Sequence, residues 1–164
     1  MTKSDKSKHN ICIASIKRKT FQPYNYKWTK FYESNSDFPH SQFHLNLTQN
    51  ELIICSTIID SHNYSILTTQ KLITNENGIE NVGNLIDSTL KQPIDFKGLD
   101  GKLFTFGLLK LKNEMELKYF IETGKASMIM MYGIKTLIQT QQMTIKNIEN
   151  VTKVWSKENK NNPC

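Results

Sequence analysis

Arginine is almost missing from this chain: Arg18 is the only one in 164 residues. Arginine does most of the bidentate reading of guanines and phosphates, so its scarcity argues against sequence-specific DNA recognition. Cysteine is also sparse. Cys12, Cys55 and Cys164 lie far apart and form no Cys-x-x-Cys pair, which excludes a disulfide framework and fits a reducing compartment. No run approaches the roughly 18–20 apolar residues of a membrane span. The early run Ile11–Ile16 is too short for the core of a secretory signal, usually about 7–15 residues. These absences together read as a cytoplasmic protein.

What is there has the composition of a soluble globule, 38% hydrophobic with a mean hydropathy of −0.48. A chain of this length buries about 70% of the surface its unfolded form exposes, enough to fold without a metal or a disulfide, and no cofactor is expected. The net charge of +6 is uneven. Residues 1–19 hold Lys3, Lys6, Lys8, Lys17, Arg18 and Lys19 against Asp5 alone, leaving +1 for the rest of the chain. Residues 1–10 are expected to form a disordered basic tail, 11–44 an N-terminal extension packed on the core, and 45–143 the core domain. A C-terminal helical extension over 144–157 and a disordered tail over 158–164 follow.

The polar and apolar residues alternate along much of the chain. Tyr24, Tyr26 and Trp28 alternate with polar neighbours, as do Phe43, Leu45 and Leu47, the period-two pattern of half-buried strands. Asp37 suits the cap of a short helix with Pro39 in its first turn. Leu52–Ile59 is a β-branched central strand, Asp60–Asn63 a turn, and Tyr64–Thr74 a second strand. Asn77-Gly78 predicts a tight hairpin, because both residues tolerate positive φ. Ile79–Ile86, interrupted by Gly83, is a weaker strand, and Pro93 makes Lys91–Phe96 at best an edge strand. Leu103–Leu111 and Met115–Glu122 form the last strand pair. From Lys125 the period changes: Ala126, Ile129, Met130, Gly133, Ile134, Leu137 and Ile138 make the stripe of an amphipathic helix over 126–138 facing the strands 52–59 and 103–121.

Antiparallel strands closed by one helix, with Asn50-Glu51 before a strand and then Tyr64-Ser65-Ile66-Leu67-Thr68-Thr69-Gln70-Lys71-Leu72-Ile73, resemble the bacterial PH-like (pleckstrin-homology-like) domain family. The resemblance covers about ten residues in wording and residues 45–143 in element order. It implies an α+β fold, a strongly bent antiparallel sheet or partly open barrel capped by a C-terminal helix. It also implies a non-catalytic binding module for lipid headgroups, peptides or protein partners. The phosphoinositide-binding type carries a Lys/Arg cluster in its first hairpin loop. Here the loops at 60–63 and 75–78 hold Asp60, His62 and Glu76, which counts against that ligand.

No catalytic constellation emerges. Thr123-Gly124-Lys125-Ala126-Ser127 lacks the P-loop's leading glycine, Tyr119 standing in its place, and its hydroxyl after the lysine. His40 and His44 find no third ligand beyond distant His62 or Cys55, and Cys55 lies in an apolar strand. Two surfaces remain. Met128, Met131 and Tyr132 lie off the main helical stripe, as expected either for packing under the N-terminal segment or for an interface with a partner protein or a second copy. Lys17, Arg18, Lys19 and Lys27, beside the aromatic stretch 21–32, are the candidate contacts to a nucleic acid or anionic surface, the secondary reading. The leading expectation is a protein or peptide partner.

Overall fold

The computed structural model describes residues 4–142, 150, 152–154 and 157. Among the described residues the first element is helix α1 (Asp5–Lys19), which takes in residues 5–10 of the expected tail. Ser4 caps it by accepting the Ser7 N–H at 3.2 Å, and Asp5 in the first turn with Lys17, Arg18 and Lys19 in the last complements the helix dipole. The polar start is tied down by tertiary bonds. Gln70 Nε2 donates to the Asp5 carboxylate at 2.8 Å, and His9 is buried with Ile11, Cys12, Ile13, Ala14 and Ile16. Residues 5–10 therefore belong to the fold.

Eight strands follow among the described residues: β1 (Thr29–Phe31), β2 (Ile53–Asp60), β3 (Asn63–Thr68), β4 (Leu72–Glu76), β5 (Ile79–Gly83), β6 (Thr89–Lys91), β7 (Phe104–Lys110) and β8 (Glu116–Glu122). They make two antiparallel sheets, β1-β2-β3-β4-β5 and β6-β7-β8, with no closed barrel among the described residues. The sheets touch where the Phe120 N–H donates to the Ser65 hydroxyl at 2.9 Å. Helix α2 (Ser127–Gln142) follows a short 3₁₀ turn at Gly124–Ala126. The fold is thus α+β with a C-terminal helix.

The hairpin at Asn77-Gly78 forms as expected, with φ of 53° and 85°. Other expectations are corrected. Tyr64–Thr74 is two strands, because the Thr68 hydroxyl accepts the N–H groups of both Gln70 and Lys71 and turns the chain without glycine or proline. Tyr24–Trp28 is not strand: the Glu122 carboxylate takes the Lys27 and Trp28 N–H groups at 3.0 and 2.9 Å, leaving only Thr29–Phe31 to pair. Phe43, Leu45 and Leu47 are carried on successive three-residue turns, Leu45 N–H to Phe43 O and Leu47 N–H to Leu45 O. Their side chains still pack together on a second core of Tyr32, Ile53, Tyr64, Ile66 and Ile73. Asp37 ends a 3₁₀ turn (Asn35–Asp37) rather than opening a helix, its carboxylate accepting the Ser34 N–H.

The main core lies between the helices and the sheets. Ile129, Met130, Ile134 and Leu137 of α2 are fully buried with Ile16, Ile54, Cys55, Leu67 and Ile121. Gly133 sits at the closest approach; a Cβ there would lie 2.9 Å from Cys55 Sγ and 3.2 Å from Leu67 Cδ2. The stripe shares its core with Leu109 of β7 and Ile121 of β8. It packs on β1, β2, β3 and β8, and α1 runs along it, with Thr136 Oγ1 donating to Ser15 Oγ at 2.8 Å. Of the C-terminal extension, residues 150, 152–154 and 157 are helical. The rest of 144–157 and the tail over 158–164 lie outside the described residues. Among the described residues, no helix is long and apolar enough to cross a membrane.

A candidate binding cleft beside the second helix

Met128, Met131, Tyr132 and Lys135 recur at spacings of three and four, so they share one face of α2, distinct from its core stripe. They form one wall of a cleft of about 410 Å³; Leu90 of β6, then Gln92, Pro93 and Phe96, form the other, and Tyr119 of β8 supplies the floor. The off-stripe residues singled out from the sequence are therefore brought together, as the lining of a concavity. The Lys19 and Lys135 ammonium groups lie 5.3 and 5.7 Å from the centre of the Tyr132 ring. Among the described residues, no acidic side chain lines the cleft.

Tyr119 is the unusual member. It is 0% exposed, its hydroxyl has no hydrogen-bond partner among the described residues, and burial pushes its pKa up. Tyr119 stands directly opposite Gly107 on β7, and a Cβ at 107 would lie 2.1 Å from its Cζ and 2.3 Å from its hydroxyl oxygen. The phenol ring and its hydroxyl thus lie over Gly107 of β7. The sequence signal for this arrangement is a glycine in the middle of a strand, which marks a close approach; the approaching residue is set by register and was not legible.

A second concavity of about 430 Å³ lies among Trp28, Lys102, Leu103, Phe104, Thr105 and Phe106. Its rings pack edge to face, Trp28 on Phe104 at 6.1 Å and Phe104 on Phe106 at 5.9 Å. Beside it, the loop from Gln92 to Leu103 carries Ile94, Leu99 and Leu103 at 84%, 85% and 62% exposure. This loop is well bonded. The Asp95 carboxylate accepts the Leu99 and Asp100 N–H groups at 2.9 and 3.0 Å, and hydrogen bonds at this carboxylate hold its pKa below the ordinary value. Thr105 Oγ1 donates to Ile94 O and Thr123 Oγ1 to Lys102 O.

The basic candidates Lys17, Lys19 and Lys27 each meet a side chain of the fold. Lys17 pairs with Glu33, Lys19 faces Tyr132, and Arg18 shares their last turn of α1. Lys27 stands apart from that turn in sequence, its ammonium 4.6 Å from the Trp28 ring centre. A cavity of about 960 Å³ opens at the start of α1 and is lined by Asp5, Lys8, His9 and Glu33 among others. Their polar groups serve the fold. His9 Nε2 donates to the carbonyls of Tyr32 and Ile53 at 2.9 and 3.1 Å, and burial lowers its pKa. Lys8 lies 3.6 Å from Asp5. At the P-loop-like step, the Gly124 N–H is spent on Phe96 O at 2.9 Å. His40 packs edge-on against Phe38 and Phe43, and among the described residues no group of three potential metal ligands forms. Cys12 and Cys55 are buried free thiols whose pKa values burial pushes up.

No family model matches the chain, and no curated protein or solved structure does either.

Proposed function

We propose that the chain is a cytoplasmic, non-catalytic PH-like binding module that docks a protein partner on the apolar surface formed by Ile94, Leu99, Leu103, Phe104 and Trp28. The observation that carries this reading is the pairing of order with exposure. Soluble surfaces seldom gather large apolar side chains without a use. Here they are presented on a loop fixed by Asp95, Thr105 and Thr123 and beside a packed cluster of rings. Support for the PH-like architecture comes from chain order: four antiparallel strands, β2 to β5, precede three more, β6 to β8, and then a helix. Helix α1 and strand β1 are additions to that pattern.

The test is photo-crosslinking in extract of the source cells with a benzophenone side chain at position 103, compared with the same group at exposed Gln139. One discrete adduct from 103, abolished by Leu99→Glu with melting temperature unchanged, is the expected result. An adduct of twice the chain mass identifies a second copy as the partner. Equal labelling from both positions, or an adduct indifferent to Leu99→Glu, rejects the surface. Salt-sensitive adducts to single-stranded nucleic acid would favour the secondary reading, binding through the basic N-terminal segment with Lys17, Arg18, Lys19 and Lys27.

A further inference from the structure

We propose that the cleft between α2 and β6 is a separate binding site for a small amphipathic organic anion. Such a ligand has an apolar body lying between Met128, Met131 and Phe96, a carboxylate near Lys135, and a hydroxyl or carbonyl tip on the Tyr119 hydroxyl. Four observations converge. The volume, about 410 Å³, falls in the range of small-molecule pockets, about 300–1,000 Å³. The walls are thioether, aromatic and aliphatic, and methionine adapts to irregular apolar shapes. The charge on the lining comes from Lys135, with no carboxylate of the described residues to offset it, and Lys19 adds a second ammonium at Tyr132. Finally, the Tyr119 hydroxyl is buried and unpartnered among the described residues. Buried polar groups are almost always paired in native folds.

The position of that hydroxyl decides what it serves. The ring lies over Gly107 of β7, its hydroxyl 2.3 Å from where a Cβ at 107 would stand, and Tyr119 lines the cleft together with Leu90, Gln92 and Pro93. A phenylalanine would fill the same space over Gly107 without leaving a donor unpaired. A bridging water alone is a poor substitute, because a buried water needs two to four polar partners. Besides this hydroxyl, the polar side chains on the lining are Gln92 and Lys135, with Tyr132. The chemistry of the site is therefore polar at its floor, apolar along its length and cationic at α2. It differs from the proposed docking surface in the residues that form it and in the buried, unpartnered hydroxyl among them.

The experiment is calorimetric titration of the full chain with straight-chain carboxylates of about six to twelve carbons, each with and without a terminal hydroxyl, and with the matching neutral diols. At the best-fitting length, the hydroxy acid should bind about three- to tenfold tighter than the plain acid, the worth of one hydrogen bond. Tyr119→Phe, which keeps the ring over Gly107, should erase that advantage and leave the plain acid unchanged. Lys135→Gln should weaken both acids several-fold and leave the diol unchanged. Leu99→Glu, at the docking surface, should alter none of these, so failure of one proposal is separable from failure of the other. Absence of binding across the series, or a hydroxyl advantage that survives Tyr119→Phe, would mean the hydroxyl holds water only and would overturn the assignment.

Discussion

The ring of Tyr119 occupies the place a side chain at Gly107 would take, the two residues being direct partners across β7 and β8. Gly107 is thus required by contact, not by backbone conformation. Gly107→Ala must displace the phenol or part the strands, and overpacking of this kind costs about 1–3 kcal/mol. Urea unfolding of Gly107→Ala should show that loss. The double variant with Tyr119→Ala should lose less than the two single changes added together, since the second removes the atom the first collides with. Strict additivity would show that the ring does not rest on Gly107.

Glu51 gathers the residues whose wording carried the family resemblance. It is 1% exposed, and its carboxylate accepts from Thr68 Oγ1 at 2.5 Å and from the Thr48 N–H at 3.0 Å, with Lys71 Nζ at 3.4 Å. Lys71 in turn donates to Asn46 O, and Gln70 reaches Thr48 and Asp5. Glu51→Ala strands these donors around a buried space and should cost about 3 kcal/mol, the low end for breaking a buried pair because Lys71 is partly exposed. Denaturant midpoints at neutral pH read it. A loss below about 1 kcal/mol would make the network incidental.

That network also explains what was legible in the sequence. The α2 stripe, the Asn77-Gly78 hairpin and β2, β7 and β8 are readable because their signals are local: a spacing, a turn pair, an alternation. The β3–β4 turn is not, since Thr68-Thr69-Gln70-Lys71 holds no turn former and is shaped by the Thr68 hydroxyl and by Glu51 from outside the turn. Helix α1 shows no helical stripe in the sequence because its buried residues run consecutively, from Ile11 to Ala14, against α2 and β2. At the cleft, Met128, Met131 and Tyr132 stand out as off-stripe residues. Tyr119 does not, because only strand register places it over Gly107.

His9 makes stability depend on pH. Its Nε2–H holds α1 to the carbonyls of Tyr32 and Ile53. Burial lowers its pKa, against smaller raising effects from these carbonyls and from Glu33. The unfolded chain, with an ordinary histidine near about 6.5, therefore binds more protons than the folded one in the window below that value. Stability is full above about pH 6.5 and falls as pH drops toward the lowered native value. His40, also lowered by burial, contributes in the same direction, so the assignment rests on a difference. The unfolding free energy of wild type should fall from about pH 7.5 to about pH 5.5 more steeply than that of His9→Gln. Parallel profiles would remove His9 as the cause.

The two faces of α2 are separable by a pair of charge substitutions. Ile134 is fully buried among Ile16, Cys55, Leu67 and Ile129, with no cation among the residues of that core to meet a carboxylate. Ile134→Asp forces either an unpaired charge or a protonated acid into apolar packing and should cost about 3–5 kcal/mol. Met131 is partly buried and lines the cleft, where an aspartate can reach solvent and stands one turn from Lys135. Met131→Asp should therefore cost much less in thermal stability. Its effect should appear instead in the calorimetric titration, where a carboxylate in the cleft repels the carboxylate ligand and removes apolar contact, so acids should weaken by more than the diols do. Thermal melts and titrations of the same two proteins give both readings. If Met131→Asp proves as destabilising as Ile134→Asp in a chain shown by sedimentation to be monomeric, the face that lines the cleft is core.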